Sequence, residues 1–454
     1  MQKIIAKQAL TQNGWERDVE IAIKDGRIAH IRPAPVGINA TVGLALPAPL
    51  NLHSHAFQRA MSGLTEARGP DPKDSFWTWR RLMYKFLDQL TPDQIEAIAA
   101  QVFLEMLEAG YAGVAEFHYL HHDVGGVPYA NLAELSERIV AAATQAGIGL
   151  TLLPVLYQFG GLDMRPLAGG QRRFGNDLEQ FSRMHEGARS AVASGLQDFN
   201  IGVAPHSLRA VDKAGLDRAI ALASGGPVHM HLAEQVAEVD EVQAALNARP
   251  TEWLLDHYNV DPRWCLIHCT QMTGQETRAL AASGAVAGLC PITEANLGDG
   301  IFNGTDYLGH GGVVGFGSDS NVHITLFEEL KTLEYSQRLR DKSRAALATS
   351  DRSTGRVLFD AANKGGAQAG GRDSGVLATG KMADILGLDL DNEWGANRVG
   401  DIALDTLIFG SNGQRCITDV WSAGRHMVKQ GRHVQRDRIT RAFTAVMADL
   451  EQNI

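Results

Sequence analysis

Cysteine is scarce in this sequence. There are four in 454 residues (Cys265, Cys269, Cys290 and Cys416), none in a Cys-x-x-Cys pair. That gives no disulfide framework and sets the expectation of a reducing, cytoplasmic setting. Long apolar runs are missing as well: none approaches the roughly 18 residues that span a bilayer. The first residues carry only a very short apolar patch, so no secretory leader is expected. Positive charge is in deficit, with 42 Lys and Arg against 52 Asp and Glu and a net charge of −10. Binding to nucleic acid or to a membrane surface needs a broad basic field, so neither is expected. An anionic small molecule is still allowed, because a few arginines in one cleft reverse the local potential. No low-complexity tract or short-period repeat occurs.

What remains is ordinary globular composition, 44% hydrophobic and 21% charged. The length exceeds the usual single domain, which predicts two domains or one large barrel with an appendage. The first 45 residues read as β-rich. Residues 18–34, DVEIAIKDGRIAHIRPA, alternate apolar and polar around Asp25-Gly26, a hairpin turn signal. Near the other end, GVLATGKMADILGLDL and DVWSAGRHMVKQGRHV have the same texture.

Between them, eight short apolar runs alternate with helical stretches: 46–55, 113–121, 147–158, 199–206, 227–234, 264–270, 284–293 and 312–320. Continuous rather than alternating apolar character suits parallel strands buried on both faces. The intervening segments, such as residues 91–110, carry apolar residues at helical spacing and end in glycine. Eight strand–helix repeats predict an α/β fold, a (β/α)8 TIM-like barrel. A doubly wound open sheet is the alternative, but no Gly-x-Gly-x-x-Gly turn follows the first strand.

Chemically capable side chains close these runs, where such barrels place their catalytic groups. The first ends in His53-Ser-His55, with both histidines on one side of an extended chain. Among 16 histidines a chance His-x-His pair is ordinary. The later runs change its weight: the fifth ends in His229, His231 and Glu234, the sixth in His268 and the eighth in Asp319. Singly, each has a bland reading as a hydrogen-bonded strand end, a turn residue or a helix cap. Together, three imidazoles and a carboxylate suit one divalent, zinc-like ion with room for a bound water.

With these residues in this order, the chain resembles the amidohydrolase superfamily, in its mononuclear deaminase branch. The resemblance implies that His53, His55, His231 and Asp319 ligate the metal; His229 is not required by it and reads as packing or support. It also implies a small β-sandwich built from both chain ends. The expected division is residues 1–47 and 375–454 (with a terminal helix) for the sandwich, and 48–374 for the barrel. Binuclear members bridge two metals with a lysine late in the fourth strand. The fourth run here, FNIGVAPHSLR, has no lysine, so one divalent metal is expected, with zinc as the default.

The chemistry expected of such a site is hydrolytic attack on a carbon bonded to nitrogen. A divalent ion brings the pKa of bound water toward neutrality. Asp319 can accept the proton, His268 can hydrogen-bond the developing negative oxygen, and Glu234 can carry a proton to the leaving nitrogen. Candidate substrate contacts are Gln58, Arg80, Tyr119, His206 and Arg209, with Arg59 and Arg81 nearby. Arginine pairs bidentately with carboxylates, and two separately placed arginines suggest a dicarboxylate. Trp77, Trp79, Arg81 and Arg59 have plain readings as packing or solvent-facing groups.

A finer resemblance rests on NLHSHAFQRAM, SFWTWR, EFHYLHH, APHSLRAV, VHMHLAEQ, CPITEANLGDG and FGSDSNVHITLFEEL, spread from residue 51 to 330. These are similar to the deiminases that hydrolyse N-formimino-L-glutamate to N-formyl-L-glutamate and ammonia in histidine degradation. That likeness implies a small-molecule substrate with carboxylates and a cationic formimino group, held by Gln58, Arg80, Tyr119, His206 and Arg209, and a homodimer. The alternatives are another deaminase of the branch, acting on a nucleobase or nucleoside, and a non-catalytic barrel scaffold.

Overall fold

In the computed structural model, residues 1–64, 66, 83, 84, 86–390 and 398–451 are described. Four strands open the chain: β1 (Gln2–Thr11), β2 (Gly14–Lys24), β3 (Arg27–Pro33) and β4 (Val42–Pro47). The β2–β3 hairpin turns at Asp25-Gly26, both with positive φ (50° and 76°), as a two-residue primed turn requires. Nine further strands fill the eight barrel positions. They are β5 (Leu50–Ser54), β6 (Gly113–His118), β7 (Gly149–Leu156), β8 (Asn200–Ile201) with β9 (Ala204–Pro205), β10 (Val228–Leu232), β11 (Trp264–His268), β12 (Val286–Leu289) and β13 (Val313–Phe316). The chain end returns as β14 (Ile385–Leu388), β15 (Ile417–Ser422), β16 (Arg425–Lys429) and β17 (Arg432–His433).

The two chain ends form one eight-stranded sheet in the order β17-β16-β15-β14-β4-β1-β2-β3. The expected β domain from both termini and the α/β barrel are therefore both present. The barrel is built of two parallel runs, β5-β6-β7-β8 and β10-β11-β12-β13, with β9 also on β7. Single bridges close it, Val203 to Val228 on one side and Ser54 to Asp319 on the other.

The fourth strand differs from the continuous run read in the sequence. It breaks at Gly202-Val203, where Gly202 N–H donates to Leu152 O (2.9 Å) and Val203 N–H to Pro227 O (3.0 Å). The backbone thus divides its bonds between both neighbours, and a Cβ at Gly202 would sit 2.4 Å from Pro227 O. Several strands also stop short of the apolar runs. Residues beyond β6, for instance, already belong to the loop, where His121 and His122 both donate their amides to Arg173 O.

The helices cover the barrel as the periodicity predicts. Pro92–Glu108 starts at a reciprocal Thr91/Gln94 capping box with proline at the first position, and buries Ile95, Ile98, Val102, Phe103 and Met106. Buried charges join barrel to sheet. Arg372 bonds Asp384 through Nε (2.6 Å) and Asp198 through Nη2 (2.8 Å), and Arg425 bonds the same Asp198 (2.7 Å).

The β13–β5 seam is closely packed. A Cβ at Gly317 would lie 2.7 Å from His53 O and 2.8 Å from its N and Cβ. Gly317→Ala is expected to cost about 1–3 kcal/mol by overpacking, measured by denaturant unfolding. Gly309→Ala, whose Cβ would meet nothing within 4 Å, is the control. Equal stability of the two variants would refute the crowding argument.

Candidate metal and catalytic site

The seam carries the histidine pair. His53 O accepts the amides of Ser318 (3.1 Å) and Asp319 (2.9 Å), and His55 N–H donates to Asp319 O (2.9 Å). His231 arrives from the end of β10. One ligand atom from each of His53, His55, His231 and Asp319 lies within 4.8 Å of the others, and all four residues are buried. Asp319 Oδ1 is 3.4 Å from His53 Nε2 and 3.2 Å from His55 Nε2.

Two rings are oriented from behind: His55 Nδ1 bonds Phe117 O (3.0 Å) and His231 Nδ1 bonds His206 O (3.2 Å). Such bonds fix which nitrogen faces the centre. Neither ring nitrogen of His53 has a hydrogen-bond partner among the described residues, although both are buried. Burial pushes the His53 pKa down to about 3 and lowers those of His55 and His231 as well. Burial opposes ionisation of Asp319, but His53, His55 and His268 outweigh it and hold the carboxyl below the ordinary aspartate range. Neutral imidazoles facing an ionised carboxylate, with an orphaned buried nitrogen among them, fit a divalent cation.

Beside this cluster lies a cavity of about 570 Å³ including its mouth. Gln58, Tyr119, His206, Arg209, Glu234 and His268 all line it, together with Met83, Tyr157, Phe174 and Ser320. Gln58 Nε2 donates to Tyr119 OH (2.7 Å). Glu234 Oε1 is 3.8 Å from His268 Nε2, and Glu234 Oε2 is 3.7 Å from Arg209 Nη2. Arg80, Arg81, Trp77 and Trp79 lie outside the described residues. His229 is turned to other use: its Nε2 bonds Ala369 O (2.8 Å). Arg59 neither reaches the cavity lining nor faces solvent freely. It pairs with Glu105 (2.8 Å) and donates to Asn321 O and Val322 O (3.0 Å each), bracing the seam from outside.

Sharp backbone turns aim these side chains. Ala233, His268 and Asp319 have φ of 51°, 72° and 45°, a left-handed region costly for non-glycine residues and often found at functional sites. One functional group absent from the sequence reading is Glu294. It is buried in the helix Pro291–Leu297 after β12, where its Oε1 accepts from Cys290 N–H (2.8 Å) and sits 3.3 Å from His268 Nδ1. Burial alone would strip the His268 proton, but Glu234, Glu294 and Asp319 together push its pKa up to about 10. Glu234 is raised, by burial first and by Glu238 and Asp319 next, against the pull of His268 and Arg209. The pair is thus arranged as a cationic hydrogen-bond donor beside a carboxyl group whose hold on a proton is strengthened by burial.

With this site on that barrel, the chain belongs to the amidohydrolase family: the model described as "Amidohydrolase family" matches residues 44–427. A second, "Formimidoylglutamate deiminase HutF, N-terminal domain", matches residues 1–40. The chain is 50% identical to formimidoylglutamate deiminase of Pseudomonas aeruginosa, over 99% of this chain and 100% of the relative. The crystal structure of an amidohydrolase from Brucella melitensis superposes with a TM-score of 0.95 at 48% identity, covering 99% of this chain and 100% of that one. An adenosine deaminase from Xanthomonas campestris shares the fold at a TM-score of 0.83 and 20% identity, over 99% and 98% of the two chains.

Glu294→Gln removes one of the charges that keep His268 protonated. The His268 pKa is expected to fall from about 10, so the alkaline limb of the pH–rate profile moves to lower pH. The rate profile and the imidazole NMR shifts of the variant check this; an unmoved limb and an unmoved titration would refute it.

Proposed function

We propose that this chain hydrolyses N-formimino-L-glutamate to N-formyl-L-glutamate and ammonia, as a step of histidine degradation. The observation that carries the reading is the whole-length, 50% identity with the P. aeruginosa formimidoylglutamate deiminase. The cavity is chemically suited to that substrate, with the carboxyl groups of Asp319 and Glu234 near the reacting end and Arg209 on its wall. A divalent cation, which we take to be zinc, would be held by His53, His55, His231 and Asp319 and supplies Lewis-acid activation of water.

The remaining work falls to the protein. Asp319 accepts the proton of the attacking water. His268, as a cation, donates a hydrogen bond to the oxygen on which negative charge develops. Glu234 takes up a proton and gives it to the nitrogen, so that the C–N bond breaks with ammonia as leaving group and the carbon becomes the formyl carbonyl. Gln58, Tyr119, His206 and Arg209 hold the carboxylates and the amidine. Arg80 completes that set on sequence grounds as the second arginine for a dicarboxylate. The same reading takes the enzyme to be a cytoplasmic homodimer that acts on a small molecule rather than on nucleic acid or membrane.

Ammonia release from N-formimino-L-glutamate, run beside a panel of nucleobases and nucleosides, tests the substrate; release from a nucleobase alone would sink the proposal. Chelation should abolish turnover, and readdition of zinc should restore it. Glu234→Gln is expected to keep its metal and lose roughly 10²–10⁴-fold in kcat, while Arg209→Ala should act mainly on KM. Near-normal turnover by the Glu234 variant, with metal content verified, would remove it from the proton path.

A further inference from the structure

Glu238 lies behind the cavity wall, and the mechanism above leaves it unused. It sits in the first turn of the helix Val236–Leu246 and is 1% exposed. Its Oε2 accepts the backbone N–H of Glu234 at 2.9 Å. Its Oε1 faces Arg209 Nε at 4.0 Å. Both of these facing atoms are buried, and neither has a hydrogen-bond partner among the described residues. An unsatisfied guanidinium N–H opposite an unsatisfied carboxylate oxygen costs free energy on both sides, and about 1 Å of closure would satisfy both. Arg209 is meanwhile 3.7 Å from Glu234 Oε2 through Nη2. Two carboxylates therefore compete for one arginine, and only one of them, Glu234, is needed free for proton transfer.

We propose that Glu238 is a positioning residue that takes Arg209 by its Nε, so that the outer guanidinium nitrogens meet the substrate carboxylate instead of pairing with Glu234. The inference rests on the reading of Arg209 as a carboxylate ligand. The geometry suits it: a guanidinium held through Nε still presents its two terminal nitrogens as a fork, the arrangement that binds a carboxylate bidentately. Because Glu238 is itself fixed by the Glu234 amide, one side chain sets the spacing between the arginine and the proton carrier. A carboxylate that merely capped that amide would need no negative charge.

The test is a double-mutant cycle. Glu238→Gln keeps an oxygen for the Glu234 amide but loses the charge. It is expected to raise KM for N-formimino-L-glutamate, and the inhibition constant of glutarate, by roughly 10–100-fold, the worth of a charge-assisted hydrogen bond. In an Arg209→Ala background the same substitution should change neither by more than ~2-fold, the usual scatter of uncoupled sites. Equal effects of Glu238→Gln in both backgrounds, or no effect in the parent, would overturn the positioning role. If Arg209→Ala alone leaves KM and glutarate binding unchanged, the carboxylate reading of Arg209 fails, and this proposal with it. Absence of turnover by the parent enzyme would instead count against the substrate. Thermal unfolding and metal content confirm that the variants are folded. Should Glu238→Gln be unstable, Glu238→Asp, which keeps the charge but shortens its reach, is read by the same Arg209-dependent loss of glutarate affinity.

Discussion

The barrel closes on the candidate metal site. Three backbone hydrogen bonds join the exit of β5 to the exit of β13, and every one of them involves His53, His55 or Asp319. Each such bond contributes only about 1 kcal/mol net, but closure also removes the two open edges that a parallel sheet would otherwise expose. The stability of the fold and the spacing of the ligands therefore depend on the same few atoms. Gly317 is the steric condition for this approach, and Arg59 adds an outer brace through the carbonyls of Asn321 and Val322. Ligands placed in this way are set by main chain as well as by rotamer, which suits a site that must hold geometry through turnover.

Charge dictates the next layer. Glu234 and Asp319 line one cavity with His268 and Arg209 as the facing cations, and Glu238 and Glu294 are buried beside those cations. Uncompensated buried charge is costly, so the arrangement favours a divalent cation held among His53, His55, His231 and Asp319. It also gives the ionisable groups different environments. Asp319 is held ionised among imidazoles, Glu234 is lifted by burial first and by its anionic neighbours next, and His268 keeps its proton because three carboxylates surround it. Environment, rather than residue type, distinguishes the two carboxylates.

The sequence makes the candidate metal cluster legible because strand ends in a parallel barrel are a restricted set of positions, and polar residues there contrast with the apolar runs before them. His53, His55, His231 and Asp319 each follow such a run. Glu238 and Glu294 do not stand out, since both fall in the first turn of a helix, where an acidic residue is already favoured by the exposed amides and the dipole. Glu294 even accepts the Cys290 amide in that ordinary way. Their second contacts, to Arg209 and His268, depend on which strands become neighbours. The break in the fourth strand was hidden for a similar reason, since it reflects competition between Leu152 and Pro227 for backbone bonds. The positive φ angles at Ala233, His268 and Asp319 have no local signature, because none of these residues is glycine.

Phe117 shows how packing becomes electrostatics. Its ring centre lies 5.0 Å from that of His53, 5.3 Å from His55 and 4.5 Å from His231, and its carbonyl takes the His55 Nδ1. An aromatic ring in that place withholds water from three imidazoles at once. Desolvation penalises their charged forms, which favours neutral imidazoles with lone pairs available to a cation. The same burial would be a liability if nothing neutralised Asp319 or used the orphaned nitrogens of His53. Packing that is unfavourable for the empty cluster would favour one holding a divalent cation, which would couple metal affinity to the integrity of the barrel core.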